Sequence, residues 1–200
     1  TLRDGEQTSG ISFSSSEKLT ISKLLLEELL IDRIEIASAR VSEGELESVK
    51  VISDWAKSNG HINKIEVLTF VDNGKSINWM LKSGAKVQNL LTKGSVNHLT
   101  NQLKKTPEQH FKEINEILTS SEKEKIKTNV YLEDWSNGMR NSKDYVIDLI
   151  DFLSKKRIER ILLPDTLGIL TPRETYNFIS EIINKFPNVH FDFHSHNDYD

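Results

Sequence analysis

The chain has 200 residues, of which 36% are hydrophobic and 28% charged, with a formal net charge of −4 and no cysteine. Its size suits one domain with a substantial core, and its composition excludes a disordered or fibrous protein. The acidic balance argues against non-specific nucleic-acid binding, no apolar run reaches membrane-spanning length, and missing cysteine removes disulfides, thiolate metal sites and a cysteine nucleophile. A cytoplasmic enzyme is the resulting expectation. Thr1 is not a methionine, TLRDGEQ reads as an internal loop, and the last segment stops directly after a strand. These ends suggest a piece of a longer protein.

In chain order, SSSEKLTISKLLLEELL places serine caps before an apolar-periodic run and predicts a helix. IDRIEIAS is short and isoleucine-rich and predicts a strand. Ser42 and Glu45 fit a capping box for a helix through VKVISDWAKS that Gly60 closes. KIEVLTF is the next strand, and SINWMLKS a helix ending at Gly84. KVQNLLT is a strand, after which Thr106, Pro107 and Gln109 open a helix with a cap, a first-turn proline and a capping partner. IKTNVYLEDW is a strand, NSKDYVIDLIDFLSK a helix and RIERILLPDT a strand. Thr171, Pro172 and Glu174 repeat the helix-opening grammar, and NVHFDFHSH is the last strand.

Strands and helices thus alternate at about thirty residues per unit, the size of a βα step. Strict alternation predicts an α/β fold with a parallel sheet, either closed or doubly wound. No GxGxxG or P-loop appears. Polar residues such as Glu35, Glu133, Asp134, Asp165, Thr166, His194 and His196 gather near strand C-termini, where barrels build active sites. The reading is therefore a (β/α)8 TIM barrel present as an incomplete fragment. Residues 1–200 form a partial catalytic domain, with the first strand upstream and the last βα units downstream.

The last strand carries the chemistry. Side chains alternate along a strand, so Val189, Phe191 and Phe193 form a greasy back while His190, Asp192, His194 and His196 point the other way. His-x-His sets two imidazoles side by side, as a shared metal requires, or as hydrogen-bonded surface histidines equally allow. His190 and Asp192 read as a buried hydrogen-bonded pair. His61, His98 and His110 need no role. The same alternation gives Tyr131 and Glu133 one face, Asn89 and Leu91 another, and Glu66, Leu68 and Phe70 a third. The interior then holds two histidines, Glu133, Tyr131, Leu68 and Leu91, with Arg3 and Asp4 on the first loop. Taken singly, each has a plain structural reading: a local ion pair for Arg3 and Asp4, a solvated loop start for Glu133, core for Tyr131, Leu68 and Leu91.

TLRDGEQ, LPDTLG and HSHND together resemble the DRE-TIM metallolyase superfamily. Within it they look like the Claisen-condensing branch of 2-isopropylmalate, homocitrate and citramalate synthases. SFSSSEKL, RIEIASARVSEGE, NLLTKGS and VYLEDWSNGMRNS are most similar to the bacterial citramalate-forming group. The resemblance implies Asp4, His194 and His196 as ligands of a divalent metal (Mn, Mg, Zn or Co). It implies Arg3 as the residue stabilising charge on the keto oxygen, Glu133 as the catalytic glutamate, and Thr166 as the holder of the keto-acid carboxylate. Gln7 supports the site. Acetyl-CoA is the implied co-substrate, and a homodimer the implied assembly of the full-length protein, with neither nucleic acid nor membrane as partner. At Asn89 leucine-pathway synthases usually carry histidine, and at Tyr131 a small residue such as serine. Tyr131, Leu68 and Leu91 then fill the space of an isopropyl group and favour pyruvate as the 2-oxo acid, on the route to isoleucine. The alternatives are 2-isopropylmalate synthesis, homocitrate synthesis, a retro-aldol lyase of the same scaffold, an iron(II) facial triad and a non-catalytic scaffold.

Overall fold

A computed structural model describes residues 2–196. Its elements run as α1 (Ser15–Lys23), β1 (Ile34–Ser38), α2 (Glu43–Ser58), β2 (Ile65–Phe70), α3 (Lys75–Ser83), β3 (Val87–Lys93), α4 (Val96–His98), α5 (Pro107–Lys123), β4 (Lys127–Glu133), α6 (Trp135–Asn141), α7 (Lys143–Ser154), β5 (Arg160–Asp165), α8 (Pro172–Lys185) and β6 (Phe191–Ser195). In the sheet the strands follow one another in chain order, β1 to β6. The alternation read from the sequence is therefore the alternation that forms. The chain divides into two compact units, one of residues 1–89 and 120–127, the other of residues 90–119 and 128–200.

In the first unit β1 and β2 pair in parallel. Ile34, Ile36, Ala37, Ile65 and Val67 are buried, the near-continuous apolar pattern of strands covered on both faces. Each such aliphatic side chain contributes about 1.5–3 kcal/mol on burial. The helices stop where local chemistry stops them. Ser14 and Glu17 form a full capping box on α1, and Gly84 closes α3 in the left-handed region at φ 77°. After α1 the chain widens into a π-helical turn over Leu24–Glu28. The capping box expected for α2 is half formed. Ser42 accepts from the Glu45 backbone N–H at 3.0 Å, but the Glu45 carboxylate is taken by the Lys18 ammonium instead. Lys18 is 1% exposed, and Glu6 gives it a second carboxylate at 2.6 Å. A buried ammonium needs those partners, and this need outranks the local cap.

In the second unit β4, β5 and β6 pair in parallel. β5 is buried throughout, and α7 lays Tyr145, Val146, Leu149, Ile150 and Leu153 into the core. Thr171 and Glu174 form the expected capping box on α8 behind Pro172. Thr106 and Gln109 exchange the expected reciprocal bonds at the start of α5, at 2.9 and 3.3 Å. The strand expected to run through Trp135 ends at Glu133. Asp134 takes a left-handed conformation at φ 65°, and Trp135 opens α6. A positive φ at a non-glycine residue breaks the strand there.

Candidate active site

Each unit carries one polar cluster made of residues that the sequence singles out. In the first, Arg3 lies just before a short 3-10 turn over Gly5–Gln7. Its Nε donates to Glu35 Oε2 at 2.5 Å, and its Nη1 donates to Asp4 Oδ1 at 2.9 Å and Gln7 Oε1 at 3.1 Å. The Arg3–Asp4 ion pair thus exists, but it is one edge of a larger network. Glu35 occupies the second position of β1, not its C-terminal end, and stands opposite Glu66 of β2. Facing like charges destabilise a strand pair. Asn89 resolves this, since its Nδ2 donates to Glu35 Oε1 at 2.6 Å and to Glu66 Oε2 at 3.0 Å. All three of these side chains are buried. Leu68 of β2 is buried too.

The second cluster centres on β4 and β6. His194 and His196 stack with ring centroids 5.0 Å apart and planes 11° apart. Tyr131, buried on β4, sets its hydroxyl 3.3 Å from His194 Nδ1 and its ring edge-on to the imidazole at 5.8 Å. Glu133, two residues along on the same face, pairs with the Lys93 ammonium. Thr166 Oγ1 accepts from the Asp134 backbone N–H at 2.9 Å. Leu91 on β3 is half-buried. The back of β6 is less greasy than expected, because Phe193 is 39% exposed, touching Trp135 edge-on at 6.4 Å. His190 and Asp192 are hydrogen-bonded at 3.1 Å, yet the His190 side chain is 60% exposed. The other carboxylate oxygen of Asp192 pairs with Arg160 at 2.9 Å. Asn197 and Asp198, the end of HSHND, lie outside the described residues.

Asp134 entered the sequence reading only as a polar residue near a strand end, and His98 and His110 entered it without a role. Asp134 is fully buried and accepts from Ser95 Oγ at 2.6 Å and Asn137 Nδ2 at 2.8 Å, with His98 Nε2 3.5 Å away. His110 is buried and accepts the Lys93 backbone N–H at 3.2 Å. Burial first, then the nearby Lys105 charge, pushes its imidazole down to about 4, so it stays a neutral acceptor near pH 7. Asp134 takes a positive φ of 65°, as Leu30, Arg40, Asn73, Lys104 and Lys125 also take positive values, and a non-glycine residue holds that conformation only where its surroundings fix it.

Alternating parallel strands with polar residues at their ends define an α/β enzyme-type scaffold. The comparisons are consistent with it. The chain matches the HMGL-like family over residues 1–200 and belongs to that family. It is 31% identical to a 2-isopropylmalate synthase of Oceanobacillus iheyensis over 99% of this chain and 38% of that protein. It is 29% identical to an (R)-citramalate synthase of Methanocaldococcus jannaschii over 100% of this chain and 38% of that protein. The chain therefore spans well under half the length of both synthases. Among solved structures, hydroxymethylglutaryl-CoA lyase of Pseudomonas aeruginosa superposes with a TM-score of 0.72 at 18% identity, covering 98% of this chain and 65% of that one. That likeness shows the TIM-barrel fold class. Among the described residues no helix is long and apolar enough to cross a membrane.

Proposed function

We propose that this chain carries the catalytic face of a metal-dependent synthase that condenses acetyl-CoA with a 2-oxo acid, with pyruvate as the acid and (R)-citramalate as the product. The donor set fits a metal. Two stacked imidazoles and an aspartate offer nitrogen and oxygen ligands suited to Mn, Zn or Co, and to Mg with added water. Asp4, His194 and His196 would hold the ion, whose Lewis acidity would polarise the keto carbonyl.

The remaining work falls to the chain's own side chains. The Arg3 guanidinium, already fixed by Glu35, Asp4 and Gln7, presents positive charge where an alkoxide develops, with little reorganisation left to do. Thr166 binds the keto-acid carboxylate. Glu133 accepts a proton from the acetyl methyl group. The electron pair of that C–H bond becomes the new C–C bond to the keto carbon, and the keto oxygen is protonated. Water then cleaves the thioester, releasing CoA thiol and a free carboxylate.

Tyr131 carries the choice of substrate. It is buried and leans on His194, so its ring takes up space beside an imidazole assigned to the metal, with Leu68 and Leu91 as apolar wall. A methyl side chain needs less room than isopropyl, and one or two methylenes of fit are worth about 1–3 kcal/mol. The 31% identity to a 2-isopropylmalate synthase keeps that synthesis as the second reading. In the full-length protein, CoA thiol release should require both a 2-oxo acid and a divalent metal, stop with chelator, and be abolished by His196→Ala. Undiminished turnover in His196→Ala would remove the histidine pair from the site.

A further inference from the structure

The Lys93–Glu133 pair lies at the ends of two strands, where an ordinary surface ion pair contributes little. Its surroundings set it apart. The Lys93 side chain is 14% exposed and that of Glu133 24%, so the pair is partly withdrawn from water and the hydrogen bond is charge-assisted. The Lys93 backbone is also gripped from both sides. Its N–H donates to His110 Nε2 at 3.2 Å, and its carbonyl accepts from the Tyr145 hydroxyl at 2.8 Å. His110 and Tyr145 are both buried, and each spends a polar atom on this one residue. The next N–H, of Gly94, donates to the Glu133 carbonyl at 2.6 Å. The approach is so close that a Cβ on Gly94 would lie 2.5 Å from Leu132 O and 3.0 Å from Glu133 O. A long lysine side chain gives up rotamer freedom when it is held. Fixing its root in this way restricts where the ammonium can travel.

We infer that Lys93 is a positioning residue for the condensation: its ammonium holds one oxygen of the Glu133 carboxylate so that the other meets the acetyl methyl group. This rests on the reading of Glu133 as the base. Glu133 shares a face with Tyr131, whose hydroxyl lies at His194. A carboxylate swinging freely at a strand end would spend little time aimed at that face. Misplacement of a reacting group by about 1 Å can cost roughly 100-fold in rate.

The test uses the full-length protein with Lys93→Ala, Lys93→Arg and Glu133→Gln, each measured for kcat, KM and thermal midpoint, and Lys93→Ala also in the presence of ethylammonium. Lys93→Ala should lose about 10- to 100-fold in kcat while KM for the 2-oxo acid moves less than about threefold. Lys93→Arg should recover most of the rate, and ethylammonium should restore part of it to Lys93→Ala, because the added cation refills the vacated place. A Lys93→Ala rate within about twofold of wild type overturns the inference. So does a loss that neither Arg nor the amine relieves and that tracks the thermal midpoint, which marks a structural pair only. An active Glu133→Gln removes the base and Lys93's role with it, while wild type that releases no CoA thiol with any 2-oxo acid defeats the synthase reading itself.

Discussion

Gly138 sits in α6 against the end of β3, and replacing it with alanine measures how tightly that junction is packed. A methyl group there would fall on the carbonyl oxygen of Gly94, 2.8 Å from Val146 Cγ2 and 3.1 Å from Gly94 C. Two of the three obstacles are backbone atoms, which cannot rotate away. Relief therefore requires α6 to lift off the strand. Overpacking a core costs about 1–3 kcal/mol, and a clash with backbone belongs at the upper end. The gain in helix propensity from glycine to alanine, about 1 kcal/mol, offsets only part of that. A net loss of about 2 kcal/mol should lower the thermal midpoint by roughly 4–8 °C in a domain of this size. Gly44→Ala is the control, since its Cβ would meet only Ser42 Oγ at 3.7 Å. Its midpoint should stay within about a degree of wild type or rise. Thermal unfolding followed by circular dichroism, with urea midpoints as a second measure, reports both. A Gly138→Ala midpoint equal to that of the control would refute the packing argument. Because α6 follows directly from Glu133 and Asp134, turnover at temperatures well below the midpoint should fall as well.

Three further outcomes follow from the geometry. His110 is pushed from 6.5 to about 4 by burial and then by Lys105, so the unfolded chain takes up a proton before the folded one does. Stability should be full above pH 6.5 and fall between 6.5 and 4, by roughly 3 kcal/mol at the low end. Urea midpoints across that window should drop less in His110→Gln, and parallel curves would contradict the assignment. Asn89→Asp replaces the donor shared by Glu35 and Glu66 with a third carboxylate, and should cost about 3–5 kcal/mol as a broken buried polar contact; an unchanged urea midpoint would mean the network is not holding the strands. Tyr131→Ser should raise turnover with larger 2-oxo acids relative to pyruvate by about 10-fold or more, and an unmoved ratio would take the tyrosine out of the pocket wall.

What the sequence disclosed was local. Thr106 with Gln109, Thr171 with Glu174 and Gly84 all act within a few residues of themselves, so caps and stops could be read in order. Ser42 with Glu45 was half legible, because the second half of that box is claimed by Lys18, 27 residues away. The helix at Trp135 was hidden by the backbone reversal at Asp134, which no residue type announces. The same division holds at the site. Arg3, Asp4, Tyr131, Glu133, Thr166, His194 and His196 sit in motifs whose residue types already suggest their chemistry. Their partners do not. Asn89 meets Glu35 across 54 residues, and Lys93 meets Glu133 across 40. Those meetings depend on strand register, which a single sequence leaves open.

The central claim, a synthase whose pocket is cut to a methyl side chain, is tested most directly by one competition. Full-length protein with acetyl-CoA, a divalent metal and either pyruvate or 2-oxoisovalerate is followed by release of CoA thiol. The account predicts kcat/KM for pyruvate at least about 10-fold above that for 2-oxoisovalerate, the ratio expected from one or two methylenes of fit. A preference of the same size for 2-oxoisovalerate would contradict it and leave 2-isopropylmalate synthesis in its place.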